Sequence, residues 1–178
     1  PIKFSQSKKA NRQLNNRPFE AFVEPNHMFN SLMWSVVIAL SPGIIVNVIF
    51  FGVGIILQLL VAILIVVASD ELIATLKRHE MGERVRYGSA VVLACIVAIS
   101  MPPYAHWWMC ALAAVVANIF GKHIYGGTGQ NLFNPAMVGI VFALVCFPSL
   151  TTYWPNGGVA GVLTTGEIFT SFFSWHAE

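Results

Sequence analysis

The stretch that decides the fold is GIILQLLVAILIVVASDELIATL, residues Gly54–Leu76, which contains no charged side chain before Asp70 and Glu71. A helix needs about 20 apolar residues to cross a hydrocarbon layer of about 30 Å. The length and the apolar composition of this stretch therefore predict a transmembrane helix.

The composition of the whole chain agrees with that prediction. Of its 178 residues, 56% are hydrophobic and 10% are charged, and the mean hydropathy is +0.69. Soluble domains usually carry about 25% charged residues. We therefore predict an all-α integral membrane protein, built as a multi-helix transmembrane bundle, with the lipid bilayer as a partner and no nucleic-acid partner.

Apolar segments divide the chain into three regions. Residues 1–31 are predicted to be a cytoplasmic segment, residues 32–150 a membrane domain, and residues 151–178 an extracytoplasmic segment. Pro42 is expected to kink the first helix, while Pro102, Pro103 and Pro148 are expected to end later ones. About five transmembrane helices are predicted, at residues 32–51, 54–76, 87–101, 107–120 and 135–150.

The positions of the basic residues predict the orientation of the bundle. Positive charge in short loops stays on the cytoplasmic side of a membrane. All ten basic residues can be placed on one side, which puts the N-terminus in the cytoplasm. They are Lys3, Lys8, Lys9, Arg12 and Arg17 before the first helix, Lys77, Arg78, Arg84 and Arg86 after the second, and Lys122 after the fourth.

A glycine- and amide-rich stretch, GKHIYGGTGQNLFNPA, joins the fourth and fifth apolar segments at residues 121–136. Irregular backbone at membrane depth is tolerated only where protein or an aqueous cavity satisfies its polar groups. In transporter folds such breaks mark the working site. A tight turn in which Asn134 caps the next helix is an alternative, and the two interpretations are compatible.

Three other signals are weak. Gly127-Thr-Gly129 is not a dinucleotide-binding fingerprint, because it lacks the full glycine spacing and a preceding strand. The Asn-Pro-Ala at residues 134–136 occurs once, whereas water channels carry two copies on facing half-helices. The cysteines and histidines stand singly, so no metal site is predicted.

The run KHIYGGTGQNLFNPAM, residues 122–137, resembles the D subunit of the Rnf complex and its relative, the B subunit of the sodium-pumping NADH:quinone reductase. Pro102-Pro103 and Trp107-Trp108 add to the resemblance, which extends from the first helix to Trp154. The short connection Phe51–Gly54 favours the Rnf subunit. Thr128 and residues 77–83 favour the quinone reductase.

The resemblance implies one membrane flavoprotein subunit of a redox-driven pump in the bacterial inner membrane. Electrons would pass between reduced ferredoxin and NAD, with iron–sulfur and flavin subunits as partners, and sodium ions or protons would be moved. Family members carry FMN on a threonine in a Ser/Asp-Gly-x-Thr motif, and residues 164–167 do not match it. The chain is expected to be incomplete, as the first half of an inverted-repeat, transporter-like fold.

Donor groups in the glycine-rich stretch are the candidate cofactor-binding residues. A second, non-covalent flavin such as riboflavin, or a contact with another subunit, would use their backbone and side-chain donors. These candidates are Lys122, Gly126, Gly127, Thr128, Gly129, Asn131 and Asn134.

Asp70 and Glu71 are the candidate ion-pathway residues. A carboxylate in an apolar helix is costly unless it is paired, hydrated or used. Snorkelling toward water beside Lys77 and Arg78 is the alternative interpretation. The resemblance places Glu71 on an acid implicated in cation uptake. A passive channel or a non-catalytic scaffold are the other function classes that this architecture permits.

Overall fold

The computed structural model of the protein describes residues 25–76, 87–127, 129–154 and 165–173. These residues form helices and connections, and no strand occurs among them. The helices are α1 Pro25–Phe51, α2 Gly54–Leu76, α3 Tyr87–Ser100, α4 Trp107–Asn118, a π-helix at Ile119–His123, α5 Pro135–Cys146, α6 Pro148–Thr152 and α7 Thr165–Phe173.

Helix α1 begins at Pro25 rather than at Leu32 and continues through Pro42. A proline lacks the N–H that would bond the carbonyl four residues earlier, here that of Ile38. The Ser41 hydroxyl donates to this carbonyl oxygen at 2.7 Å instead. The freed acceptor is thereby satisfied, which an apolar environment requires.

Helix α2 presents one narrow buried stripe to the rest of the bundle. Its buried residues recur mostly at intervals of four, so they lie along one face of the helix. The opposite face carries large exposed apolar side chains such as Leu60 and Leu64. The buried stripe consists of Gly54, Ile55, Gln58, Ala62, Val66, Asp70 and Ala74.

Small residues let α3 and α4 pack closely against α2, and let α5 pack against α4 and α3. A Cβ on Gly139 of α5 would collide with the Ala113 carbonyl oxygen and would lie 2.7 Å from the Ala117 Cβ of α4. Such close backbone approach is typical of helix pairs in membranes, where packing rather than water exclusion drives association. The core is accordingly rich in alanine, with Ala90, Ala94, Ala98, Ala113, Ala114, Ala117, Ala136 and Ala143.

The fourth and fifth predicted segments differ from the helices in the structure. The fourth was expected to be regular over 107–120, but α4 ends at Asn118 and a π-helix follows it. The fifth was expected over 135–150, but α5 ends at Cys146. Phe147 has φ −133° and ψ 57°, which is not helical, because Pro148 disfavours the α conformation in the residue before it. A short new helix, α6, then begins at Pro148.

A further helix, α7, lies in the region predicted as an extracytoplasmic segment. Ile168 and Phe172 are one turn apart and are buried. A Cβ on Gly54 would lie 3.5 Å from the Ile168 Cγ2, so α7 packs beside the start of α2. The Ser171 hydroxyl also donates to the Tyr104 carbonyl oxygen at 3.4 Å.

Two helices have the length and composition needed to cross a membrane, Phe29–Phe51 and Gly54–Leu76. Two shorter apolar helices, α3 and α5, have 14 and 12 residues. Large apolar side chains are exposed on several helices, including Ile38 at 70%, Leu64 at 68% and Val145 at 74%. Such an exterior is favourable in lipid, because the hydrocarbon tails are as apolar as these side chains.

Candidate functional site

The buried carboxylate of Asp70 is the centre of a polar cluster between α2 and the end of α4. Lys122 Nζ lies 2.6 Å from Asp70 Oδ2, and His123 Nε2 lies 2.6 Å from Asp70 Oδ1. Asn118 Nδ2 donates to Asp70 Oδ1 at 2.8 Å and lies 2.7 Å from Ser69 Oγ. We call these five residues the Asp70 cluster.

The π-helix brings the basic members of the Asp70 cluster to one face. The Ile124 N–H donates to the Ile119 carbonyl oxygen at 3.0 Å, a bond that spans five residues. In a regular α-helix, of 3.6 residues per turn, His123 would lie about 140° around the axis from Asn118. The wider π turn carries His123 back toward Asn118, so that both reach Asp70. Single π turns of this kind are frequent at functional sites.

Lys122 and Asp70 form a buried ion pair, with 6% and 4% of their side chains exposed. Lys122 is the one lysine or arginine in the part of the chain that the structure describes. The orientation was predicted with Lys122 counted as a loop charge at the membrane surface. Because Lys122 is buried inside the bundle, it does not count toward that prediction. The nine other lysines and arginines lie outside the described residues.

Two buried amides leave an oxygen without a hydrogen-bond partner. Asn118 is fully buried, and its Oδ1 has no partner, although its Nδ2 contacts the Asp70 cluster. Gln58 Oε1 is likewise unpartnered, while Gln58 Nε2 donates to the Pro102 carbonyl oxygen. Unsatisfied polar atoms of this kind are rare in native interiors and call for an explanation such as a bound water or ion.

Glu71 lies apart from the Asp70 cluster. Adjacent residues of a helix point about 100° apart, so the Asp70 carboxylate faces the core while Glu71 is only half-buried. The Tyr87 hydroxyl, at the start of α3, donates to Glu71 Oε1 at 3.4 Å. The structure therefore separates the two acids that the sequence places side by side. Lys77 and Arg78, the suggested snorkelling partners, lie outside the described residues.

The glycine-rich loop satisfies its own donors. Gly126, Gly127 and Gly129 have φ values of 103°, 110° and 91°, which side chains rarely adopt. The Gly126 N–H donates to the His123 carbonyl oxygen, and the Gly127 N–H donates to that of Lys122. The Gly129 N–H donates to Asn131 Oδ1 at 3.1 Å.

Two of the amide side chains of the loop, those of Asn131 and Asn134, are also used within the chain. Asn131 Nδ2 donates to the Phe133 carbonyl oxygen at 2.7 Å. Asn134 Oδ1 accepts from the Ala136 N–H at 3.0 Å, and Pro135 is the first residue of α5. This is the N-cap that the sequence predicts, and it is confirmed.

These contacts bear on whether a flavin fits the loop. Among the predicted cofactor-binding residues, partners inside the chain are found for Lys122 Nζ, for Asn131 Nδ2 and for the N–H groups of Gly126, Gly127 and Gly129. Asn134 is bonded through its Oδ1. Thr128 lies outside the described residues. A flavin that used these donors would have to replace those hydrogen bonds, and we assign the loop no step in electron transfer.

His123, Asn118 and Ser69 are site residues that were not predicted from the sequence. A signal for one of them was present, because Asn118 interrupts an apolar helix four residues before Lys122, the spacing that places two side chains on one face. Nothing local indicated His123, since its position depends on the π turn. The described residues contain no group of three or more histidine, cysteine or acidic side chains that could hold a metal ion.

In the part of the chain that the structure describes, an apolar exterior surrounds an alanine-rich core that contains a buried ion pair, and this arrangement defines a helical membrane protein with a charged interior. The NQR2, RnfD, RnfE family matches residues 18–173, and the chain belongs to this family. The resemblance inferred from the glycine-rich stretch is confirmed.

Relatives named as the D subunit of an ion-translocating oxidoreductase complex share more than a third of the aligned residues. The one from Pseudomonas aeruginosa (strain LESB58) is 39% identical over 140 residues, which are 79% of this chain and 41% of the relative. Those from Sodalis glossinidius and Aeromonas hydrophila are 39% and 38% identical over 75% and 85% of this chain, and over 38% and 45% of their own lengths. The chain therefore spans about two fifths of the length of these relatives.

Proposed function

We propose that this chain is the membrane-embedded part of a subunit of an Rnf-type ion-translocating oxidoreductase complex. In the proposed reaction, reduced ferredoxin is oxidised and NAD+ takes up the electrons with a proton to become NADH. The free energy of this transfer would move sodium ions or protons across the bacterial inner membrane. Family membership and the names of the relatives support the proposal.

The observation that carries the proposal is the buried Asp70–Lys122 pair inside an otherwise apolar bundle. Ionisable residues within a membrane are expensive to bury and mark ion or proton pathways. A scaffold subunit has no need for such a pair, because apolar residues of similar volume are often more stabilising.

The remaining features belong to the whole protein and are part of the proposal. The N-terminus is cytoplasmic, the second half of the subunit repeats the helices of this one with inverted topology, and further membrane, iron–sulfur and flavin subunits assemble with it. FMN attaches covalently to a threonine outside this chain. Because Lys122, Asn131 and the N–H groups of the loop glycines already donate within the chain, a second flavin such as riboflavin that used these groups would need a rearranged loop.

Coupled transport in sealed vesicles that contain the whole complex tests the proposal. Reduced ferredoxin and NAD+ should drive ion uptake in the wild type, and Asp70→Asn should lower uptake at least tenfold per NADH formed, because the carboxylate charge is lost. Glu71→Gln should slow coupled turnover if Glu71 also guides ions. Ser35→Ala is the control, since Ser35 is exposed and its hydroxyl donates to the Ser31 carbonyl oxygen of its own helix.

Two other results would replace this function. Quinone reduction by NADH, with no activity toward ferredoxin, would identify a sodium-pumping quinone reductase subunit, which Thr128 and residues 77–83 favour. Ion flux of equal rate without any electron donor would identify a passive channel. Uptake that is unaffected by both Asp70→Asn and Glu71→Gln would remove these acids from the ion pathway.

A further inference from the structure

We propose that the Asp70 cluster is a binding site for a monovalent cation, and that the Lys122 ammonium is a tethered occupant which the free cation displaces. The inference names the ion site of the proposed function and depends on that function only for its role in transport. The ligands would be Asp70 Oδ2, which the ammonium contacts at present, and Asn118 Oδ1.

The atoms proposed to bind the cation are oxygens, and the His123 Nε2 nitrogen also contacts Asp70 Oδ1, at 2.6 Å. Lys122 Nζ holds Asp70 Oδ2 at 2.6 Å, and Asn118 Nδ2 contacts Asp70 Oδ1 and Ser69 Oγ at 2.8 and 2.7 Å. The Val66 carbonyl oxygen lies 3.4 Å from the same Asn118 nitrogen. Carboxylate, amide, hydroxyl and carbonyl oxygens are ligands for hard cations.

The unpartnered Asn118 oxygen is the independent observation that points to a ligand. Asn118 is fully buried, and its Oδ1 is part of the same planar amide whose nitrogen contacts Asp70. An amide oxygen offers lone pairs but no proton, so it needs a hydrogen-bond donor or a cation. The described neighbours supply no such donor, and a cation bound to the carboxylate would satisfy it.

Charge limits the occupant to one positive unit. Asp70 is the one buried acid among the described residues, and Lys122 is its buried counter-charge, while His123 adds a positive charge beside Asp70 only when it is protonated. A buried uncompensated charge is strongly unfavourable, so whatever replaces the ammonium must also be monovalent. A divalent ion would leave one unit of positive charge buried in the bundle.

The Lys122 side chain and the π-helix could move so that the ammonium leaves the Asp70 carboxylate. A lysine places a compact ammonium on a flexible four-carbon stem. The Ile119 N–H bonds to the carbonyl oxygens of Val115 and Val116, four and three residues earlier, so α4 ends on a bond shared between the α and 3-10 patterns immediately before the π-helix. A change toward the α pattern would rotate Lys122 and His123 relative to Asn118, opening the Asp70 carboxylate to a free cation.

Thermal unfolding of the full-length subunit in lipid nanodiscs, without any electron donor, tests the proposal. Lys122→Met should give a saturable rise in Tm with NaCl that equal choline chloride does not give. Adding Asn118→Leu to that variant should abolish the rise. A Lys122→Met protein whose Tm responds equally to the two salts would overturn the proposal.

A measurement on the wild type decides the matter if Lys122→Met does not fold. Reductive methylation followed by peptide mass spectrometry reports how accessible the Lys122 amine is. NaCl should increase the methylation of Lys122 over that in choline chloride, whereas in Asp70→Asn the methylation should be high in both salts. Equal methylation of wild-type Lys122 in both salts would overturn the proposal.

These tests separate the site from the proposed function. Cation binding to the subunit is measured without ferredoxin or NAD+. A sodium response in a complex that shows no coupled transport would leave the site standing and reject the function. Coupled transport without any response of the subunit to sodium would support the proposed function and reject the cation site.

Discussion

At the scale of single residues, Asp70 and Glu71 show how neighbours in the sequence have different environments. Asp70 is buried and bonded to Lys122, His123 and Asn118, whereas Glu71 is half-buried and faces the Tyr87 hydroxyl. Both are acids in the same apolar helix, and the helical rotation between them decides which one lies in the core. Asp70 is therefore the acid of the predicted ion pathway that lies in the core of the bundle.

Removing one partner of the buried pair should destabilise the protein far more than removing both. Lys122→Met should lower the free energy of unfolding by about 3–5 kcal/mol, because a buried charge loses its partner. Asp70→Leu combined with Lys122→Met should recover most of that loss, since apolar residues of similar volume replace a buried pair at little cost.

A double-mutant cycle measured by denaturant unfolding in detergent checks this prediction. Glu71→Leu combined with Lys122→Met is the matched control, and it should show no recovery because Glu71 faces Tyr87 rather than Lys122. Additive losses for Asp70 and Lys122 would show that the pair is not coupled.

At the scale of secondary-structure elements, the ends of the helices carry the polar chemistry. The π-helix places Lys122 and His123 beside Asp70. In the loop that follows, the N–H groups of Gly126 and Gly127 donate to the carbonyl oxygens of His123 and Lys122. Asn134 then starts α5 by capping it at the Ala136 N–H. These bonds hold irregular backbone in place beside an apolar core, where free polar groups would be costly.

Loss of the α5 cap should be measurable on its own. Asn134→Ala should reduce the free energy of unfolding by about 1 kcal/mol, because the Ala136 N–H loses its acceptor. Asn134→Ser keeps a capping oxygen and should lose much less. Equal losses for the two variants, measured by thermal unfolding in nanodiscs, would assign Asn134 a role other than capping.

The close contact between α4 and α5 should be intolerant of a methyl group. Gly139→Ala places a Cβ against the Ala113 carbonyl oxygen and Ala117, and should cost about 1–3 kcal/mol through overpacking. Gly43→Ala in α1 is the control, because no atom lies within 4 Å of a Cβ there. Unfolding in detergent should show a loss for Gly139→Ala and no loss for Gly43→Ala.

At the scale of the whole molecule, the apolar surface and the charged interior invert the arrangement of a soluble protein. Exposed leucine, isoleucine and valine side chains cover α1, α2 and α5, while the ion pair is in the core. In water such a surface would drive aggregation. In lipid the apolar surface faces hydrocarbon and does not drive the helices together. The pairing of the helices is then specified by close contacts between small residues and by the buried polar cluster.

A charged substitution on the exposed face of α2 should show whether this face contacts lipid or water. Leu64→Arg should make membrane insertion of α2 about 3 kcal/mol less favourable, because arginine is costly near the centre of a transmembrane helix. Leu64→Phe should insert like the wild type. Glycosylation-site mapping of inserted helices measures both, and unchanged insertion of Leu64→Arg would place this face in water.

The sequence by itself determined the helical class, the main apolar segments, the Asn134 cap and the family. These properties depend on hydropathy and on hydrogen bonds between near neighbours, which can be followed residue by residue. Prolines predicted the end of α3 and the interruption after α5, whereas the end of α4 at Asn118 and the burial of α7 were not predicted. The family resemblance followed from one contiguous stretch, residues 122–137.

The tertiary structure alone decided that Asp70 rather than Glu71 faces the core, that Lys122 is buried, and that Asn118 and His123 join them. Lys122 lies 52 residues from Asp70 in the sequence. Their contact depends on the rotation of α2, on the crossing of α2 and α4, and on the extra width of one π turn. Those quantities are set by the packing of small side chains across the whole bundle, and no local pattern of residues encodes them.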